Sequence, residues 1–289
     1  RWSWCRWRLA PRYASHSTAD LTSGNGLGRQ SNASLRADRR YTTGMWTFIH
    51  KLGSPPWFFR FSGTLVRWLL PTTVTLLLVG AIWGLLVAPP DFRQGNSYRI
   101  IYIHVPAAVV ALAGYYLMAF AGAVSLIWRI KMADVTMRAA APVGAILTAI
   151  ALVTGAIWGK PTWGTWWVWD ARISSMLILL FLYLGVVALF EAHENKTAAA
   201  RACAVLSLVG MVNIPIIYKS VDWWYSLHQP ASIKFAGESA IDSSMLYPLL
   251  LMIVAFYCLF TVTLLLNMRA ELVWTHRESG WLKQLVGDS

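Results

Sequence analysis

The sequence predicts an all-α integral membrane protein with six transmembrane helices, and three observations carry that prediction. Apolar residues make up 57% of the chain and charged ones only 13%, whereas a soluble domain carries about a quarter charged residues. The deficit is concentrated in stretches such as 76–88 and 177–190, which hold no charged side chain. Apolar segments recur along the chain at lengths near the roughly 20 residues that a helix needs to cross a bilayer.

Taken in order, the segments are 68–88, 101–128, 139–157, 173–191, 202–219 and 246–268. Pro71, Pro89 and Pro90 punctuate the first, as helix breakers do near helix ends. Asn213 and Pro215 fall inside the fifth and predict a kink, whose freed carbonyls must find partners on neighbouring helices. Lys and Arg in the connecting loops set the orientation. One side holds Lys51, Arg60, Arg67, Arg129, Lys131, Arg138, Lys196, Arg201, Arg269, Arg277 and Lys283; the other holds Arg93, Arg99, Lys160, Arg172, Lys219 and Lys234. The richer side carries both termini, which are therefore expected in the cytoplasm. The outer loops are longer and more aromatic, so function is expected outside.

Residues 1–44 are rich in Arg and Ser and show no helical apolar period. They read as an N-terminal extension: a start placed too far upstream of Met45, a disordered tail, or a transit peptide. The expected division is thus 1–44 and a membrane domain over 45–289. The net charge of +12 includes eight arginines of that extension and is otherwise dispersed around the apolar segments, a topology signal and not a nucleic-acid surface. Cys5, Cys203 and Cys258 form no CxxC pair, which excludes a zinc finger and covalent c-type haem attachment. No Walker A loop is present, so ATP hydrolysis by this chain is not expected. Glu191-Ala192-His193-Glu194 lacks HExxH spacing, and no GxSxG occurs. Nothing announces bond-breaking catalysis.

The outer loops concentrate the chemistry. Trp158, Trp163, Trp166, Trp167 and Trp169 fall within 158–172, a segment that ends in Asp170 and Arg172. Trp163, Trp167 and Asp170 stand at i, i+4 and i+7, so a helix there would align them on one face. Trp favours the membrane interface, and an aromatic belt is the plain reading. Five in so short a span also suit a flat aromatic platform for a planar, mostly apolar macrocycle. The last outer loop repeats the theme with Trp223-Trp224-Tyr225 ahead of His228.

Of the histidines, His16, His50, His193 and His276 fall in the extension or inside, leaving His104 and His228 outside at one membrane depth. A lone interfacial His is ordinarily a hydrogen-bonding residue. An outer pair beside two Trp-rich loops fits axial ligation of haem iron by neutral imidazole. Haem propionates need cations, and Arg99 and Arg172 are the nearest outer arginines; snorkelling from helix ends is their alternative role.

Trp163-Gly164-x-x-Trp167-x-Trp169-Asp170 resembles the WGxxWxWD signature of the haem-handling (WWD-domain) membrane proteins of cytochrome c maturation. Trp158-Gly159-Lys160-Pro161, Tyr102-Ile103-His104-Val105-Pro106 and Trp223-Trp224-x-x-Leu227-His228-Gln229 look closest to one branch, the cytochrome c maturation protein C (haem exporter protein C, CcmC) family. The resemblance runs from Met45-Trp46 onward. It implies non-covalent haem b held at the outer, periplasmic face of a bacterial inner membrane between His104 and His228. It further implies that Trp158, Trp163, Gly164, Trp167, Trp169 and Asp170 serve haem and its recipient, the haem chaperone CcmE, and that Arg99 and Arg172 contact the haem. The implied partners are the ABC transporter subunits CcmA and CcmB and the small membrane protein CcmD. Two rivals are a b-type cytochrome, which would need a second His pair at inner depth, and a permease-type subunit moving haem or another small molecule, which would need polar groups along the bundle.

Overall fold

A computed structural model of the chain describes residues 53–224, 226–228 and 241–287. The extension 1–44, Met45, Lys51, Gln229 and Lys234 lie outside the described residues.

Among the described residues the chain is all-α, and six helical segments are long and apolar enough to cross a membrane. Helix α1 spans Pro55–Ile82 and continues as one π-helical turn, Trp83–Val87. A 3₁₀ turn over Asn96–Ile100 leads into α2, Ile101–Trp128. Then come α3 (Lys131–Trp163), α4 (Ala171–Ala192), α5 (Lys196–Gly210), α6 (Asn213–Trp223), α7 (Ser243–His276) and the short α8 (Gly280–Gly287). Helix α5 and α6 together form the fifth span, Lys196–Trp223.

Several helices outrun their apolar segments: α1 begins at Pro55 rather than 68, α3 covers 131–163 rather than 139–157, and α7 ends at His276 rather than 268. Hydropathy reports only the turns that sit in hydrocarbon, whereas backbone hydrogen bonding carries a helix on into water. Pro161 fails to stop α3; Thr162 Oγ1 donates to the Trp158 carbonyl at 2.8 Å beside it. The expected break in the fifth span is present between Gly210 and Asn213, and the Asn213 amide donates across to the Ser175 carbonyl on α4 at 2.8 Å. That bond fastens α6, which packs mainly on α4.

Helix α2 is central, with half of its most apolar stretch buried against 17% for α1. It packs on α3, α5 and α7, while α1 lies on α7. Tyr115, Met118, Met137, Leu179 and Tyr183 fill the middle of the bundle with no solvent exposure. The Tyr183 hydroxyl donates to the Ala111 carbonyl at 2.7 Å, so its burial leaves no polar group stranded.

Alternating spans place the ends of α1, α3 and α6 beside the starts of α2, α4 and α7. The opposite end is fastened by ions. Arg138 on α3 reaches Glu271 on α7 at 2.8 Å and Glu191 on α4 at 2.9 Å. A cleft of about 580 Å³ opens beside this triad, lined by Pro142, Val187, Phe190, Asn267 and Trp274.

Candidate functional site

His104 sits near the start of α2, where the helix faces α3. Its ring nitrogen Nδ1 lies 2.9 Å from the Ala151 carbonyl and 3.1 Å from Thr154 Oγ1. A carbonyl can only accept, so Nδ1 carries the proton and Nε2 keeps its lone pair. This is the arrangement by which a second group fixes the tautomer of a metal-binding imidazole. Space for the ring comes from Gly155, where a Cβ would stand 3.0 Å from His104 Cε1. Trp158 meets the His104 ring edge-on at 5.8 Å and Tyr98 at the same distance, and its indole N–H donates to Gln94 Oε1 at 2.7 Å. Gln94 is held in a tight turn, since its backbone N–H and that of Arg93 donate to Asp91 Oδ1 at 2.8 and 2.9 Å.

His228 arrives from the segment that follows α6. Its ring centroid is 6.3 Å from that of His104, with the ring planes 32° apart. A metal bonded to both imidazoles at about 2.0 Å per nitrogen would set the centroids about 6 Å apart. Trp163 stands 6.1 Å from the His228 ring on another side. Among the described residues no group of three or more His, Cys, Asp or Glu could hold a metal ion by itself. Two imidazoles at this spacing could hold a metal carried in a macrocycle.

Two residues at the start of α4 hold the His228 segment. Asp170 is the N-cap: one carboxylate oxygen accepts the Ile173 N–H at 2.8 Å, and the other accepts the Ser226 hydroxyl. Ser226 Oγ in turn accepts the His228 backbone N–H at 3.1 Å. Arg172 donates through Nε to Ser220 Oγ at 3.3 Å and through Nη2 to the Tyr218 carbonyl at 3.2 Å, both on α6. Its Nη1 lies 3.3 Å from His228 Nδ1, and because guanidinium only donates, Nδ1 is the acceptor there. His228 thus carries its proton on Nε2, the opposite tautomer to His104.

The remaining expected residues divide. Trp158 stands inside α3, not in a loop, and Trp163 ends that helix. Gly164 adopts φ +78°, the left-handed cap that stops α3, and its N–H returns to the Lys160 carbonyl at 3.0 Å. The i, i+4, i+7 alignment of Trp163, Trp167 and Asp170 accordingly does not form, because 164–170 is not helical. Trp167 packs edge-on against Trp169 at 5.4 Å, and its indole N–H is buried without a partner. Trp166 and Trp169 are exposed, at 57% and 75%. Arg99 lies at another seam: Nη1 and Nη2 donate to the carbonyls of Leu85 and Ala88, at the π-helical end of α1. Its hydrogen bonds cap that helix end.

Ala151, Thr154, Gly155, Gln94, Ser220 and Ser226 were not singled out from sequence. A signal existed for three of them. Ala151, Thr154, Gly155 and Trp158 follow helical spacing, so a small and polar stripe on the third span could have been paired with His104. Ser226 offered none for its bond to Asp170, which lies 56 residues away in sequence.

The family model described as heme exporter protein C, CcmC, matches residues 48–283. The chain is 46% identical over 242 residues to the heme exporter protein C of Escherichia coli (strain K12), covering 84% of this chain and 98% of that protein. The protein of the same name from Haemophilus influenzae is 45% identical over the same length and coverage. That of Bradyrhizobium diazoefficiens is 46% identical over 222 residues, 77% of this chain and 84% of the relative. The chain belongs to the heme exporter protein C family.

Proposed function

We propose that this chain, as a component of a haem export system, binds haem b non-covalently between His104 and His228 and presents it to the haem chaperone CcmE during cytochrome c maturation. The observation that supports this most is the 6.3 Å imidazole pair whose first member has its tautomer set for ligation. His104 and His228 would hold the haem, whose iron would supply a Lewis-acidic centre for their ring nitrogens. This chain's residues do the rest: Ala151 and Thr154 orient His104, Arg172 and Ser226 hold His228, and Trp158 and Trp163 flank the rings. Trp167 offers a buried indole N–H to an acceptor such as a propionate, and Arg172 offers the nearest cation. Arg99 acts on this site by holding the end of α1, and Gly164 by turning the chain out of α3 toward Asp170. Exposed Trp166 and Trp169 are the surface on which the chaperone would dock.

The Lys and Arg distribution supports placing the site on the periplasmic face of a bacterial inner membrane, with both termini cytoplasmic. Residues 45–289 are the proposed haem-handling unit, and 1–44 precede it in sequence as an extension. CcmA and CcmB would supply the ATP hydrolysis that this chain lacks a motif for, with CcmD as the small partner. The packed middle of the bundle counts against the permease reading.

The test is the absorption spectrum of purified protein supplied with haem, followed by addition of the chaperone. Wild type should show a six-coordinate low-spin spectrum and pass its haem on. His104→Ala with His228→Ala should lose that spectrum and carry only background haem. Unchanged haem occupancy in the double variant would remove the axial assignment.

A further inference from the structure

We infer that Ser226 is a positioning residue for His228, acting as the relay between the Asp170 carboxylate and the His228 backbone; the inference rests on the haem-ligation reading above. His228 lies beyond the end of α6, in non-helical chain, and helical hydrogen bonding does not hold its backbone. Asp170 is nearly buried, at 8% exposure, and one of its oxygens is committed to capping α4. The other oxygen accepts the Ser226 hydroxyl, a charge-assisted bond in a poorly hydrated place. Donating its proton to Asp170 leaves the Ser226 oxygen free to accept, and it takes the His228 N–H at 3.1 Å. The one hydroxyl thus satisfies a carboxylate on one side and the ligand's own peptide on the other.

Without the hydroxyl, the second Asp170 oxygen and the His228 N–H each lose the Ser226 bond. Both losses fall on the segment that sets where the imidazole stands. Arg172 still reaches His228 Nδ1, but from the same tautomer that keeps a proton on Nε2. The relay holds the histidine through its backbone, so it survives whichever ring nitrogen is protonated. It is therefore the contact able to keep His228 in place while the ring exchanges Arg172 for iron.

An isosteric pair separates the hydroxyl from its shape. Ser226→Thr keeps the donor and acceptor, while Ser226→Val has the same outline without them. Full-length protein is purified and supplied with haem. Absorption spectra then report the low-spin fraction, and transfer to apomyoglobin reports the rate of haem loss. Ser226→Thr should match wild type. Ser226→Val, and Ser226→Ala beside it, should gain a high-spin component and lose haem roughly tenfold faster. Valine or alanine variants with wild-type spectra and rates would overturn the inference, as would a threonine variant as impaired as valine. Failure of both Val and Ala to accumulate, with Thr normal, would make Ser226 a folding residue and overturn it too. A wild-type protein with no six-coordinate spectrum would overturn the ligation reading itself, before any Ser226 variant is compared.

Discussion

The two histidines stand 6.3 Å apart yet are built by opposite means. His104 belongs to a continuous helix in the centre of the bundle, over the floor made by Ala151, Thr154 and Gly155 of α3. Its tautomer is already set for ligation. His228 belongs to a short arm beyond a helix break, held by side chains from the start of α4, with its Nδ1 occupied by Arg172. The difference teaches that two imidazoles at one spacing can be held by unlike means, one by the helix it faces and one by side chains reaching a non-helical arm. To ligate through Nε2, His228 must move its proton to Nδ1 and give up Arg172, whereas His104 changes nothing.

The comparison is broken most severely by removing each histidine alone. His104→Ala should weaken haem retention about tenfold more than His228→Ala, a difference of about 1.4 kcal/mol. Added imidazole should restore the six-coordinate spectrum more readily in the His228 variant. Equal losses in haem titrations of the two would make the sides equivalent. Next comes the floor under the fixed side. Gly155→Ala puts a methyl 3.0 Å from His104 Cε1, so the ring must shift in a packed setting. Overpacking of this kind costs about 1 kcal/mol or more, and haem affinity should fall about fivefold with a displaced Soret band. An unmoved band would mean that His104 has slack. The smallest effect is expected from Thr154→Val, which removes the second acceptor at Nδ1 while Ala151 remains. A loss of about 0.5–1 kcal/mol is expected, two- to fivefold in affinity, from the same titration. A loss as large as that of Gly155→Ala would shift the orienting role from the carbonyl to the hydroxyl.

Much of the fold was legible because bilayer crossing leaves a one-dimensional signal: long runs of Leu, Val, Ile and Ala with charge pushed to the ends. The break at Asn213 and Pro215 was legible for the same local reason. Helix ends were not, because Arg60, Arg67 and Lys131 lie in polar turns that hydropathy discounts yet still hydrogen-bond as helix. At the site, His104 and His228 could be paired because the loop charges predict both at one membrane depth, and the structure brings their rings together. Arg99 shows what sequence leaves open: its hydrogen bonds go to the carbonyls of Leu85 and Ala88, 14 and 11 residues away. Proximity along the chain says nothing of which way a side chain leaves its helix.

By itself the sequence determined that this chain is a membrane bundle and which family it belongs to. Those properties depend on composition, periodicity and motif, and each is read within a few dozen residues. Only the tertiary structure decided that Ala151 and Thr154 set the His104 tautomer, that Arg172 reaches His228 Nδ1, and that Asp170 reaches it through Ser226. The last pairing joins residues 56 apart in the chain through one hydroxyl. Hydrogen bonds are short and directional, so they exist only once packing has brought donor and acceptor within reach.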